Sequence, residues 1–269
     1  VYEAYWGLRE KPFENTPDPR FLFLGDEAQE VFARLLYALQ GLRGAAVLTG
    51  PAGCGKTLMA RSLVQQLPPE QTAVAVLNNP RWGAAEFLRE LLYQLGNEGQ
   101  PETRADVVHR LEEILYENHA AGKQTLVLID EGQLLADGAV LEEIRLLLNY
   151  QLNDAFLINL LLVGQPVLAQ QIRAHAPLDQ RIAVRGVVRP LSSAAVGAYI
   201  NHRLRTAGSE QSPFTDDAVA LIGRHTAGVP RQINNLCDIA LVIGFSRHHR
   251  QIDGEAVTRL LQAEGGDGA

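Results

Sequence analysis

The chain has 269 residues, 46% of them hydrophobic and 20% charged, which is enough apolar surface for a packed core and excludes wholesale disorder. Its apolar stretches, such as 155–164 and 239–245, stop short of the roughly 18 residues that a membrane helix needs. The opening Val1-Tyr2-Glu3 is neither basic nor apolar, so neither a membrane span nor a secretory signal is expected. A balance of 24 basic against 31 acidic residues, net −7, disfavours a nucleic-acid coat and leaves only a local basic face open. Two cysteines, Cys54 and Cys237, make no disulfide framework and fit a reducing cytoplasm.

Residues 1–25 gather Trp6, Phe13, Phe21 and Phe23 among Pro12, Pro17 and Pro19. Prolines so placed exclude a long helix, and the segment reads as an aromatic strap laid over something larger. Over 26–42 the apolar residues Ala28, Val31, Phe32, Leu35, Leu36 and Leu39 recur at helical spacing. Five short apolar runs follow at 45–49, 73–77, 125–129, 158–163 and 182–188, separated by helical patterns. Strands alternating with helices imply a parallel sheet covered on both faces. The unbroken apolar character of LVLI and LINLLLV agrees with strands buried on both sides. After Pro190 the strand signal stops. Helices are predicted over about 193–207, 215–226, 231–248 and 253–263, with Ser192 or Ser193, Thr215 and Asp253 as caps. The expected organisation is a strap (1–25), an α/β domain (26–190), a small all-α domain (191–264) and a disordered tail (265–269, within EGGDGA).

Only three of the basic residues are lysines, Lys11, Lys56 and Lys123, and one of them stands in a motif. Gly50-Pro51-Ala52-Gly53-Cys54-Gly55-Lys56-Thr57 fits G-x-x-x-x-G-K-[ST], with a strand pattern before it and a helix pattern from Leu58 onward. Glycines let successive backbone N–H groups turn inward around an anion, and a helix N-terminus follows behind them. Lys56 then sets a point charge against the β and γ phosphates of ATP, and the Thr57 hydroxyl serves Mg²⁺. A chance glycine-rich turn would lack that strand–loop–helix context. Cys54 occupies a variable position and is assigned no chemistry, although an exposed thiol there would be open to alkylation.

The third apolar run ends in Asp130-Glu131. Asp130 is assigned to Mg²⁺. Glu131, one residue on, is assigned to polarise the attacking water as general base. Two ordinary surface acids at a strand end are the bland alternative, weakened by the phosphate loop upstream.

With these motifs the sequence resembles the AAA+ ATPases, and within them the general secretion pathway protein A family. The resemblance rests on Tyr5-Trp6-Gly7-Leu8-Arg9-Glu10-Lys11-Pro12-Phe13, on Thr16-Pro17-Asp18-Pro19-Arg20-Phe21 and on the block from Leu141 to Asn149. Leu162-Val163-Gly164-Gln165-Pro166 and Gly228-Val229-Pro230-Arg231-Gln232-Ile233-Asn234-Asn235-Leu236-Cys237 complete it. It implies a three-layer P-loop nucleotide-binding domain with sheet order 5-1-4-3-2, followed by an α-helical lid. It also implies binding of ATP and Mg²⁺, and hydrolysis coupled to subunit assembly in an envelope secretion, pilus or exopolysaccharide export system. A sister branch implies the alternative, an ATP-dependent DNA-binding regulator of transposition.

By the same resemblance Gln165 is a polar sensor near the γ-phosphate, Arg181 an arginine finger and Arg231 the second sensor arginine of the lid. A guanidinium there neutralises charge on the transferred phosphoryl group. Without the resemblance, Arg181, Arg185 and Arg189 read equally well as charges around an edge strand, and Arg231 as a helix cap or a partner of Asp238. A finger acting in trans implies a homo-oligomer, ring or filament, with secretion-system proteins as further partners. Nucleic acid is disfavoured by the net charge. The expected location is the bacterial cytoplasm, at the inner membrane face if other regions or partners hold it there. The family's glutamates are replaced here by Val167 and Ala195. Its membrane helix and peptidoglycan-binding region do not follow, so the chain is expected to be a fragment or a soluble variant.

Overall fold

The computed structural model describes residues 1–97, 99, 103–135, 137–153 and 155–265. The chain divides into two compact units, one of Asp26–Ala52 with Lys56–Val188, the other of Val1–Gly25, Gly53–Gly55 and the chain from Arg189 onward.

The first unit is a five-stranded, wholly parallel sheet: β1 (Ala45–Thr49), β2 (Thr72–Leu77), β3 (Gln124–Ile129), β4 (Ile158–Gly164) and β5 (Ile182–Val187), in the order β2-β3-β4-β1-β5. That is the expected order read from the other edge, and each strand end lies within one residue of its apolar run. Every residue of β1 and β4 is buried, whereas in the edge strand β5 only Gly186 is. Continuous hydrophobicity thus marks the central strands.

The connections are helices: α1 (Asp26–Gln40), α2 (Lys56–Gln65), α3 (Ala84–Gln94), α4 (Arg104–Ala120), α5 (Gly138–Leu147), α6 (Pro166–Ala174) and α7 (Ala176–Asp179). α1 ends two residues earlier than its apolar periodicity, because Gly41 and a left-handed Leu42 (φ 48°) break it. One polar residue interrupts β4. Buried Asn159 accepts from the Gly44 N–H (3.1 Å) and donates to the Leu39 carbonyl (3.0 Å), closing the turn from α1 into β1. At Gly186 a methyl group would fall 2.6 Å from Val31, so α1 lies directly on β5.

The second unit comprises α8 (Ser193–Thr206), α9 (Asp216–His225), α10 (Pro230–Ser246) and α11 (Gly254–Gly265), with residues 1–25 packed into the same core. Phe13 and Phe21 are buried there among Tyr199, Ile200, Leu236 and Leu241. The buried Arg203 guanidinium joins the segments. It donates to the carbonyls of Pro12 and Glu14 (2.5 and 2.8 Å) and to the Tyr199 hydroxyl (3.1 Å), and lies 4.7 Å above the Phe21 ring. Burial raises the Tyr199 hydroxyl above the ordinary phenol range, against the pull of Arg203. The Trp6 indole N–H reaches the Leu241 carbonyl at 3.0 Å.

α10 opens with Pro230 at its first turn and stops before a left-handed His248 (φ 55°), so Arg247, His248, His249 and Arg250 lie beyond the helix. α11 runs through Gly265, past the predicted end of the last helix, and residues 266–269 of the expected tail lie outside the described residues. Among the described residues no helix is long and apolar enough to cross a membrane.

Candidate nucleotide site

The loop between β1 and α2 is shaped by three glycines for two different reasons. Gly53 (φ 76°) and Gly55 (φ 86°) adopt left-handed backbone that L side chains resist. Gly50 has no positive φ, but a methyl group on it would sit 2.3 Å from the Val188 carbonyl oxygen. The Arg231 N–H donates to the Gly53 carbonyl at 3.1 Å, and a methyl group on Gly53 would meet the Arg231 and Val229 side chains at 3.0 and 3.1 Å. Arg231 thus meets Gly53 from the start of α10, while Asp238 accepts from the Tyr2 hydroxyl.

Lys56 opens α2. Its side chain is buried and its ammonium donates to the Pro51 carbonyl at 2.9 Å, folding back across the loop. Cys54 is only 5% exposed, so it is not an open thiol.

Thr57 and Asp130 meet. The Thr57 hydroxyl donates to Asp130 Oδ2 at 2.7 Å, while Asp130 Oδ1 accepts the Glu131 N–H at 2.8 Å. Asp130 is 7% exposed. The register of β3 between β2 and β4 delivers it to this point, and its own N–H bonds to the Leu77 carbonyl at 2.9 Å. A hydroxyl and a carboxylate in direct contact are hard oxygen donors suited to Mg²⁺, which needs few protein ligands when phosphate oxygens and water fill the rest. The pair fits the ion.

Glu131 leaves the strand in a left-handed conformation (φ 55°, ψ 35°) and opens a short 3-10 turn over Gly132–Leu134. Sequence reasoning missed the next participant, Gln133. Its side-chain N–H donates to the Glu131 carboxylate, and its Oε1 accepts the Gln165 N–H at 2.9 Å. Its carbonyl accepts from Gln171 at 3.1 Å. The only sequence signal was an amide two residues after the paired carboxylates. Gln165 itself stands between β4 and α6 as the helix N-cap.

Arg181 follows α7 and is not bonded to the loop. It donates to the Leu148 carbonyl (3.1 Å) and Asn149 Oδ1 (2.9 Å), capping the end of α5. Arg185 pairs with Asp179 at 2.9 Å.

Residues 39–172 match the family model described as "AAA domain". The α/β unit is an AAA domain. A curated relative, General secretion pathway protein A of Aeromonas hydrophila, is 38% identical over 98% of this chain. The chain spans about half of that relative's length, 49%. An uncharacterized HTH-type transcriptional regulator of Methanocaldococcus jannaschii is 23% identical over 96% of this chain and 73% of its own. Among solved structures, the ORC1 protein of Aeropyrum pernix, determined in complex with DNA, superposes with a TM-score of 0.70 at 19% identity, over 96% of this chain and 69% of that one. A RuvB mutant of Thermotoga maritima gives 0.61 at 19% identity, over 90% and 70%. Those likenesses establish the AAA+ fold. The AAA domain contains Lys56, Thr57, Asp130 and Glu131 within its matched span, and the similarity to the secretion relative extends over the helical unit as well.

Proposed function

We propose that the chain is a Mg²⁺-dependent ATP-hydrolysing module whose nucleotide state governs assembly with other copies, serving an envelope secretion, pilus or export system. The observation that carries this reading is the 2.7 Å bond from Thr57 to Asp130, which joins the phosphate loop to the end of β3. In a surface turn with chance similarity to the motif, these two groups would have no reason to meet.

In this reading residues Gly50–Thr57 and Leu58 in the first turn of α2 cradle the phosphates, and Lys56 exchanges the Pro51 carbonyl for the terminal phosphates. Thr57 and Asp130 hold the metal, which when bound neutralises phosphate charge. Glu131 takes a proton from the attacking water. Arg231 acts as the second sensor arginine, and Gln165 marks the γ-phosphate end. Residues 191–264 act as the lid domain, in the nucleotide-dependent manner of such modules. Arg181 serves a neighbouring subunit, its bonds to Leu148 and Asn149 being the resting arrangement that assembly exchanges for phosphate contacts. The chain works in the bacterial cytoplasm, at the inner membrane face where other regions or partners hold it, with proteins of the secretion apparatus as partners.

The test is ATP binding and turnover in parallel. Lys56→Ala is expected to lose ATP binding while remaining folded, and Asp130→Asn to weaken metal-dependent binding. A folded Lys56→Ala variant with unchanged affinity by calorimetry would sink the phosphate-site assignment. Duplex DNA added to the turnover assay separates the branches. Salt-sensitive stimulation would favour a DNA-bound regulator, because phosphate contacts release counterions, and indifference would favour secretion.

A further inference from the structure

The side chain of Gln133 is fixed at both ends. The Gln165 backbone N–H can only donate, so the amide oxygen must face it at 2.9 Å, and the NH₂ end is thereby turned onto the Glu131 carboxylate. Its backbone is held as well, through the 3.1 Å bond from Gln171.

Two glycines clear the room. A methyl group on Gly164 would lie 2.7 Å from Gln133 Oε1 and 2.8 Å from Leu168, so the amide occupies a slot that exists because β4 ends without a side chain. On Gly132 a methyl group would meet Leu168 at 3.1 Å and the Val163 carbonyl at 3.2 Å, so the 3-10 turn packs against β4 and α6. Glu131 itself, a non-glycine residue, is held left-handed (φ 55°), a conformation that costs about 1–2 kcal/mol. Local sequence does not favour this arrangement. The surrounding contacts impose it, and it fixes one carboxylate.

We propose that Gln133 is a positioning residue: it aims the Glu131 carboxylate at the attacking water and ties that aim to the β4–α6 junction at Gln165. The proposal rests on the reading of Glu131 as the base. A junction that shifts at Gln165 moves the amide oxygen, and the other end of the same rigid amide moves the carboxylate. Turnover is thereby made to depend on the state of the segment expected to meet the γ-phosphate end. Misplacing a catalytic group by about 1 Å can cost on the order of 10² in rate.

Two variants of nearly equal length test this. Gln133→Met removes both hydrogen bonds. Gln133→Glu keeps an acceptor for the Gln165 N–H but sets a second carboxylate against Glu131. Both are expected to lower kcat by about 10–100-fold with ATP affinity and KM within twofold of the parent, and Gln133→Glu at least as far as Gln133→Met. A purely structural tie to Gln165 predicts the reverse ranking, since Gln133→Glu preserves that bond. Turnover of Gln133→Glu within twofold of the parent would overturn the proposal, as would loss of nucleotide affinity in step with kcat. The double variant Glu131→Gln with Gln133→Met should be no slower than Glu131→Gln alone, because Gln133 acts only through Glu131; an additive loss also counts against it. Glu131→Gln on its own separates the two failures. If that variant hydrolyses ATP at the parent rate, the reading of Glu131 itself is wrong. If it is inactive while the Gln133 variants turn over normally, only the positioning role falls.

Discussion

Gly50→Ala is the most direct probe of why the phosphate loop starts where it does. The new methyl carbon would be built 2.3 Å from the Val188 carbonyl oxygen. Carbon and oxygen in van der Waals contact stay about 3 Å or more apart, so loop and strand must part by roughly 0.7 Å. Neither party is a flexible side chain. The Val188 N–H donates to the Thr49 carbonyl at 2.7 Å, and a separation of that size stretches the bond to the limit of hydrogen-bonding distance. Losing it costs about 0.5–1.5 kcal/mol and the overpacking about 1–3 kcal/mol, so a destabilisation of about 2–4 kcal/mol is expected in urea unfolding. A displaced loop entry should also weaken ATP binding at least tenfold, about 1.4 kcal/mol, by titration with a fluorescent analogue. Gly138→Ala is the control. At the first position of α5, with no atom within 4 Å of its added methyl group, it should change stability by no more than about 0.5 kcal/mol. A Gly50→Ala protein as stable as that control and binding ATP within twofold of the parent would refute the reasoning.

Glu131→Gln should bind ATP and fail to turn it over, while Asp130→Asn loses metal-dependent binding too; single-turnover assays distinguish the two. Activity per subunit should rise with protein concentration, and Arg181→Ala mixed with Lys56→Ala should recover hydrolysis, because an intact finger then meets an intact loop. A flat dilution series without complementation removes Arg181 from the site. Arg203→Met should destabilise the helical unit by about 2–4 kcal/mol, since it strips donors from the Pro12 and Glu14 carbonyls and the Tyr199 hydroxyl. Limited proteolysis should then open residues 1–25 first. His202 is held below the ordinary imidazole value by burial and by Arg203 and Arg205. The unfolded chain therefore binds its proton first, and stability should decline as pH falls through and below about 6.5. In His202→Gln that slope should flatten in thermal melts at graded pH.

The nucleotide loop and the strands were legible because their determinants are contiguous. An anion-binding loop is made by the backbone of successive residues, Gly50 to Thr57, and a strand buried on both faces must be apolar throughout, as Leu160–Val163 is. Asp130 and Glu131 were readable for the same reason, standing where such a strand ends. Local pattern also set the helix starts at Asp26 and Ser193 but misjudged the ends, where left-handed Leu42 and His248 stop α1 and α10. It could not reach what distant segments do to one another. Gly50 looks like one more flexible glycine, yet the Val188 carbonyl is what forbids a side chain there. The burial of Cys54 cannot be read from its place in the loop sequence. Arg181 belongs in the structure to the end of α5, and Gln133, unremarked in the sequence, bridges Glu131 and Gln165. The physical reason is that hydrogen bonds and steric exclusion between segments depend on positions set by sheet register and helix packing, whereas backbone conformation and hydrophobic burial are written residue by residue along the chain.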